Sequence, residues 1–294
     1  MPNLYCTPQE VKDAMPDGIQ SSTTKYDDEL LRLCNSVSRF IEGRRACKRA
    51  FYPLLATRYY DILTSSPELW IDDLISATTV SYSTDDGDSY TDLTEDTDFF
   101  LTRAGDFNQS GSYDQAVISR NSAELTNWAA GQRAVKIVGV WGFVIDRSDC
   151  WRYTGDTVQS NPLTSSATSL TVSDADGSDI WGMSPRFQVG QILKIESEYC
   201  EVTEVNTSTN VLTIIRGRNG TTAAQHTQNT AIYTWQPVDD IRQAAIITAV
   251  KQFKRGLQGF QDGSANPTLG QMIYVKQLDP EAEALIEAYI KHPY

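Results

Sequence analysis

Histidine is the side chain that most often performs acid–base or nucleophilic catalysis near neutral pH, and this chain has only two. His226 lies in the polar segment 223–227, and His292 lies almost at the C-terminus. These surroundings predict a solvated loop side chain in each case. No Ser-His-Asp arrangement can be assembled around either residue, so the sequence indicates a protein that is not an enzyme.

Two acidic segments partly match the ligand spacing of a calcium loop. The segment 106–111 has the opening of an EF-hand loop, but its twelfth position is Val117, where a bidentate glutamate is needed. The segment 174–179 places Pro185 at the same position. Plain acidic turns explain both segments, and calcium binding stays open as the alternative. No cofactor is expected, because the glycine-containing segment 216–221 lacks the spacing and the lysine of a phosphate-binding loop.

The cysteine content and the net charge exclude several classes of protein. The five cysteines show no metal-ligand or redox spacing, so they are predicted to be reduced and mostly buried. A formal charge of −13 disfavours wrapping around nucleic acid, because phosphate binding needs basic side chains. No apolar run is long enough for a membrane helix, and the N-terminus lacks a secretion signal. The sequence therefore predicts a soluble protein that is assembled in a cytoplasm and has no membrane partner.

Two charged segments each have a purely structural interpretation and a functional one. The acidic tract 85–98 contains seven acidic residues and is either a solvated turn or an interface element. A basic cluster either compensates the dipole at a helix C-terminus or contacts an acidic partner or passing DNA. The basic cluster consists of Arg39, Arg44, Arg45, Lys48 and Arg49.

The elements that must position these side chains follow from hydrophobic periodicity. Apolar residues at three- and four-residue spacing predict a helix over residues 27–43 and another that begins near Pro237. Phe40 belongs to the apolar stripe of the first of these helices, so Phe40→Ala is expected to destabilise the protein by roughly 3–5 kcal/mol. Residues 56–145 instead show period-two alternation and β-branched residues, which predict strands.

The segment from Leu163 to Gln236 is predicted to be entirely β-structure, a small barrel or sandwich inserted between helical segments. The predicted fold class is therefore α+β, an α-helical bundle with β-strand elements plus an inserted small all-β domain. The predicted domains are a helical core with β-elements, formed by 1–160 and 237–294, and an inserted β-domain at 161–236.

A set of short motifs lies along the chain in the order Tyr5-Cys-Thr-Pro-Gln-Glu-Val11, Asp28-Glu-Leu-Leu31, Val37-Ser-Arg-Phe-Ile-Glu-Gly43, Phe51-Tyr-Pro53, Thr57-Arg-Tyr-Tyr-Asp61, Val135-Lys-Ile-Val-Gly-Val-Trp-Gly142, Asp239-Asp-Ile-Arg-Gln-Ala-Ala245 and Lys251-Gln-Phe-Lys-Arg255. In order and spacing this set resembles the head–tail connector (adaptor) family of tailed bacteriophages, over about residues 3–150 and 237–258. The insert departs from the simplest pattern of the family, and its segment 190–221 resembles β-modules that recur in phage structural proteins.

The resemblance implies a structural virion protein at the neck, between the head and the tail. Its subunits would form a ring, a dodecamer in the family pattern, docked to the portal protein and to tail or neck proteins. Double-stranded DNA would pass transiently through the channel during genome packaging and ejection. In the family the C-terminal arm commonly reaches the portal, although the last helix here could instead pack on its own subunit. The portal-interface candidates are Tyr274, Leu285, Ile286, Tyr289 and Tyr294.

A function of a different class stays open as the alternative. The inserted β-domain could be a carbohydrate- or receptor-binding module of a phage neck or tail. Trp181, Tyr199 and Trp235 would then offer an aromatic surface to the ligand.

Overall fold

Four helices lie within the part of the chain that the structure describes: α1 (Pro8–Asp13), α2 (Asp27–Glu42), α3 (Asp239–Leu257) and α4 (Pro280–Glu287). The structure is a computed structural model, which describes residues 3–15, 23–43, 46–103, 110–257 and 279–291, and the backbone alone of 263–266 and 271–274. Helix α1 begins with a capping box, in which Thr7 accepts from the backbone of Glu10 and the Glu10 side chain accepts from the backbone of Thr7. Helix α4 begins in a similar way, because the side chain of Asp279 accepts from the N–H of Glu281. Local capping thus defines where both short helices start.

The first sheet follows α2 and is antiparallel. Its spatial order is β1-β6-β2-β5-β4, with β3 paired to the far end of β2. Its strands are β1 (Leu54–Ile62), β2 (Glu68–Tyr82), β3 (Thr91–Leu93), β4 (Phe99–Thr102), β5 (Tyr113–Ile118) and β6 (Gly131–Trp141). Strand β6 alternates in burial because successive side chains point to opposite faces, which puts Val135, Ile137 and Trp141 in the core.

The second sheet is also antiparallel and has the order β7-β12-β9-β10-β11-β8. Its strands are β7 (Trp151–Thr157), β8 (Ser169–Thr171), β9 (Ile192–Ile195), β10 (Glu198–Asn206), β11 (Val211–Ile215) and β12 (Ala231–Trp235). A separate hairpin follows α3 and consists of β13 (Gly263–Asn266) and β14 (Gln271–Tyr274).

The predicted fold class is wrong. Two six-stranded antiparallel sheets make up most of the molecule, and only 19% of it is helical. The strands between residues 54 and 141 join into one sheet because Leu54 pairs with Trp141 across almost ninety positions of chain. The protein is therefore β-rich and is not a helical bundle with added strands.

A helical core is nevertheless closed by segments from both ends of the chain. Tyr5 packs on Phe51 at 5.6 Å between ring centroids, and its hydroxyl receives the N–H of Phe51 at 2.8 Å and donates to Glu42 at 2.5 Å. From the other end, Ala282 and Ile286 of α4 are buried in the same cluster. Both sheets are thus formed by the part of the chain that connects α2 to α3.

The predicted division of the chain at residues 161 and 236 stays a prediction. The second sheet begins before that boundary, because β7 pairs with β12 from Trp151↔Trp235 to Thr157↔Ala231. Its attachment to the helical core includes a hydrogen bond from Trp235 Nε1 to the carbonyl oxygen of Phe51, at 3.0 Å.

The stability effect expected for Phe40 needs correction. Phe40 is 43% exposed, whereas the next residue, Ile41, is fully buried in the helical core. The apolar stripe of α2 that faces the core therefore runs through Leu30, Cys34, Val37 and Ile41.

Ile41→Ala is expected to lower the free energy of unfolding by about 2–5 kcal/mol, because it removes a fully buried side chain. The matched control Phe40→Ala should lower it by less than half as much, since that side chain is already partly hydrated. Urea denaturation followed by circular dichroism measures both values. Equal losses for the two variants would contradict the assignment of Ile41 to the core and of Phe40 to the surface.

Candidate functional site

A group of four interacting titratable side chains lies in the second sheet, around a carboxylate that points into its apolar core. In β10, the side chains of Glu198, Cys200 and Val202 share one face because side-chain direction repeats every two residues. Cys200 and Val202 belong to the apolar core of this sheet, and Glu198 is fully buried beside them. A buried carboxylate requires partners, because desolvation of an unpaired charge is costly.

Arg216, which directly follows β11, supplies the opposite charge. Its guanidinium binds Glu198 through two parallel hydrogen bonds, Nε to Oε1 at 2.7 Å and Nη2 to Oε2 at 2.6 Å. Such bidentate pairs combine charge with fixed geometry. The backbone N–H groups of Gly217 and Ala224 also donate to this carboxylate, at 3.0 and 2.9 Å.

The same guanidinium also donates to three backbone carbonyls in two loops. Arg216 Nη1 donates to the carbonyl oxygens of Thr164 and Ala167 at 2.7 and 3.1 Å, and Nη2 donates to that of Ala224 at 2.5 Å. Loops that are more than fifty positions apart in the chain therefore converge on one side chain. The ion pair is a structural junction of the second sheet.

His226 completes this group, and its predicted position in solvent is wrong. The ring is 1% exposed and lies between two carboxylates, with Nδ1 at 2.7 Å from Glu196 Oε2 and Nε2 at 2.9 Å from Glu198 Oε2. The backbone of His226 also pairs with Leu163 in an isolated bridge. We call Glu196, Glu198, Arg216 and His226 the Glu198 cluster.

The hydrogen bonds of Glu198 change its acidity. Burial alone would raise the pKa of this carboxyl, but donation by Arg216, by the Ala224 N–H and by His226 outweighs it and lowers the pKa from 4.5 to about 2. Glu198 is therefore a carboxylate across the physiological range, and its oxygens are occupied by donors. It is not placed to act as a general base.

A cleft of about 650 Å³ opens between the two sheets, next to this cluster. The second sheet contributes Trp151, Lys194 and Tyr199, and the first sheet contributes Tyr113, over whose ring the guanidinium of Arg147 lies at 3.9 Å. We call this space the inter-sheet cleft. It brings aromatic and charged side chains of both sheets together.

Cys150 and Tyr199, which line the inter-sheet cleft, are not activated as nucleophiles. Burial raises the pKa of the Cys150 thiol to about 11, and burial together with the nearby Cys150 raises the pKa of Tyr199 to about 12. A thiol with such a pKa is protonated and weakly nucleophilic. Both ring nitrogens of His226 are engaged by carboxylates, so within the described residues no histidine is free to activate a nucleophile.

The predicted basic cluster is only partly available for a partner. Arg39 pairs with Glu42 at 2.7 Å and donates to the carbonyl oxygen of Asn3. Arg49 lies 3.6 Å from Asp73, and its guanidinium covers the ring of Phe143 at 4.3 Å. Lys48 is exposed, while Arg44 and Arg45 lie outside the described residues. A contact with DNA or an acidic partner stays a prediction.

The predicted portal contacts are also only partly available for a partner. Ile286 is buried in the helical core, and Leu285 packs against that core. Tyr289 donates its hydroxyl hydrogen to Asp240 at 2.6 Å. The side chain of Tyr274 and the whole of Tyr294 lie outside the described residues. The described candidates contribute to their own subunit, and their role at a portal stays a prediction.

The geometry also bears on two further hypotheses, the aromatic ligand surface and the calcium loops. Tyr199 and Trp235 are buried, so of the three proposed aromatic residues only Trp181, which is 61% exposed, could offer a surface to a ligand. In the acidic segment 174–179, the carboxylate of Asp179 accepts the backbone N–H groups of Trp181 and Met183. No group of three or more potential metal ligands occurs within the described residues. His292 and most of the segment 106–111 lie outside them.

Comparison of the chain with protein-family models, with curated proteins and with solved structures finds no match. Among the described residues, none of the helices combines the length and the hydropathy that crossing a bilayer requires. Function is therefore inferred from the sequence motifs and from the geometry of the described residues.

Glu198→Gln is expected to lower the free energy of unfolding by about 3–5 kcal/mol, because it leaves the charge of Arg216 buried without a counter-charge. The matched control is Glu204→Gln, at an exposed position of the same strand, and it should change stability by less than about 0.5 kcal/mol. Urea denaturation at pH 7 measures both. A neutral Glu198→Gln would show that the ion pair is not a junction of the sheet.

The contribution of Glu198 should also depend on pH. Its pKa in the folded state lies below the ordinary value, so the stability that it provides is present above pH 4.5 and is lost as the pH falls toward about 2. The difference in unfolding free energy between the wild type and Glu198→Gln should therefore shrink as the pH is lowered from 6 to 3. Denaturation curves at several pH values test this, and a constant difference would contradict it.

Proposed function

We propose that this chain is a structural subunit of a tailed-bacteriophage virion, a head–tail adaptor that forms a ring between the portal and the tail or neck proteins. The proposal has two supports: the motifs that resemble the connector family, and the way in which those motifs meet in space. It needs no enzymatic activity.

The observation that supports the proposal most is the closure of one helical core by distant motifs. Tyr5 of the first motif, Ile41 of α2, Phe51, and Phe253 of α3 all lie in the same buried cluster. The two sheets lie between these residues in the sequence, and the buried cluster is continuous in space. Motifs from both ends of the sequence are thus joined in one core, while the motifs Thr57–Asp61 and Val135–Gly142 pair with each other in the first sheet.

The chemistry of the described residues agrees with a structural role. The Glu198 cluster is fully paired, and the thiols in or near the inter-sheet cleft have raised pKa values. A formal charge of −13 suits a channel that DNA must traverse without being held, because attraction to the phosphates would slow its passage. Partners of the proposed subunit are its own copies, the portal and tail-side proteins.

The purified protein is expected to form rings, alone or on addition of the portal protein of the phage or prophage that encodes it. Negative-stain electron microscopy and light scattering would show the number of subunits, which the family resemblance sets at twelve. Immunogold labelling of virions should place the protein at the neck. A protein that stays monomeric with the portal and is absent from virions would overturn the proposal.

A further inference from the structure

The β13–β14 hairpin is a two-stranded sheet on its own. Its four residue pairs run from Gly263↔Tyr274 to Asn266↔Gln271, and among the described residues it joins neither six-stranded sheet. An isolated two-stranded hairpin is at best marginally stable in water, and a third strand stabilises it. Its eight residues carry no charge, so nothing in them opposes the approach of another strand.

Strand β1 is an open edge of the first sheet. Within the described part of the chain it pairs with β6 alone, and the N–H of Leu55 turns away from β6 to donate to the carbonyl oxygen of Asn219 at 2.9 Å. Gly220 lies against the carbonyl oxygen of Leu55, so closely that a Cβ at position 220 would be 2.0 Å from this oxygen. Because backbone direction alternates along a strand, Thr57 and Tyr59 also direct their N–H and C=O groups outward. No backbone partner for these groups is found within the described residues.

This edge also lacks the usual protection against strand pairing. Residues 54–62 contain neither proline nor lysine, and Thr57 and Tyr59 are exposed. Of its two charged residues, Arg58 is held on the sheet by Asp72 at 2.6 Å and lies 4.4 Å from the Trp141 ring, and Asp61 accepts the backbone N–H of Arg133 at 2.6 Å. Proteins normally blunt an exposed edge with proline, charge or a covering segment.

The other edge strands are shorter or covered. Strands β4 and β8 have four and three residues. Along β7, a segment of the β8–β9 connection lies against the strand: the side-chain carboxylate of Asp156 accepts the N–H groups of Ser173 and Asp174, and Ile180 packs on Gly155. Strand β1 is therefore the longest edge that is open within the described residues.

We infer that in the assembled ring the β13–β14 hairpin of one subunit adds to the β1 edge of the neighbouring subunit. The inference rests on the proposed function, since it names the contact that closes the ring. The occupant is a second copy because both halves of the joint, an incomplete sheet and an open edge, belong to this chain and are not paired within its described residues. A contact between two unlike surfaces of identical subunits is the heterologous type that generates rings.

Disulfide trapping tests this contact directly. Thr57→Cys protein is mixed with variants that each have one added cysteine at one of the eight hairpin positions, 263–266 or 271–274. Strands that pair bring Cα atoms to about 4.5–5.5 Å, which a disulfide spans. The five native cysteines are buried and should not react in the folded ring. The expected result is a disulfide-linked dimer for at least one hairpin position, with the matched control Thr203→Cys, exposed on β10, giving none.

The outcomes separate the two proposals. Rings without any trapped dimer would overturn the strand contact and leave the adaptor function standing. A link within one chain, seen when both cysteines are on the same monomer, would also overturn it, because the edge would then be covered by the subunit's own hairpin. A protein that forms no ring would overturn both proposals.

Thr57→Pro provides a second test, because proline removes the outward N–H and is tolerated on edge strands. The substitution removes an intersubunit hydrogen bond, and the proline ring clashes with the incoming strand. The protein concentration needed for half-assembly should therefore rise by about tenfold or more, while the melting temperature of the monomer changes little. Thr57→Val keeps the N–H and should assemble like the wild type. Equal assembly of the two variants would overturn the contact.

Discussion

The second sheet depends on one buried ion pair, between Glu198 and Arg216. Without the guanidinium, a carboxylate in the apolar core would lose its counter-charge, and the backbone carbonyls of Thr164, Ala167 and Ala224 would lose a common donor. The pair thereby specifies where two loops lie, which an apolar pair of the same volume would not do. His226 extends this order to the turn between β9 and β10, because it contacts Glu196 as well as Glu198.

The rest of the molecule depends on closing a core from both ends of the chain. Tyr5 connects the N-terminal segment to α2 through Glu42 and to the start of the first sheet through the N–H of Phe51. At the other end, the N–H of Lys291 donates to the carbonyl oxygen of Cys47, at 2.8 Å. Both sheets are attached to this closed unit, so each can vary in size without moving the ends of the helices.

Local sequence patterns predict the bounds of the α2 helix but not how the strands pair into sheets. The helix predicted over residues 27–43 is observed at Asp27–Glu42, because its apolar spacing and acidic first turn are local signals. Fold class was missed because the pairing of β1 with β6 is a long-range contact that periodicity does not report. His226 was misplaced for the same reason, since Glu196 and Glu198 reach it only through the folding of the β9–β10 hairpin. A glutamate in an otherwise apolar position of β10 was the one available signal of the Glu198 cluster.

Net charge gives a physical reason for a backbone contact between subunits. Copies that each carry a formal charge of −13 repel one another, although salt at physiological strength screens this repulsion beyond about 8 Å. Hydrogen bonds between strand edges act within that distance and do not depend on side-chain charge. Along β1 the outward groups of Thr57 and Tyr59 are such donors and acceptors, and the hairpin that would meet them is uncharged. In the proposed ring, like-charged subunits would thus be joined at one short seam of backbone hydrogen bonds, while their remaining surface keeps the acidity that the proposed passage of DNA requires.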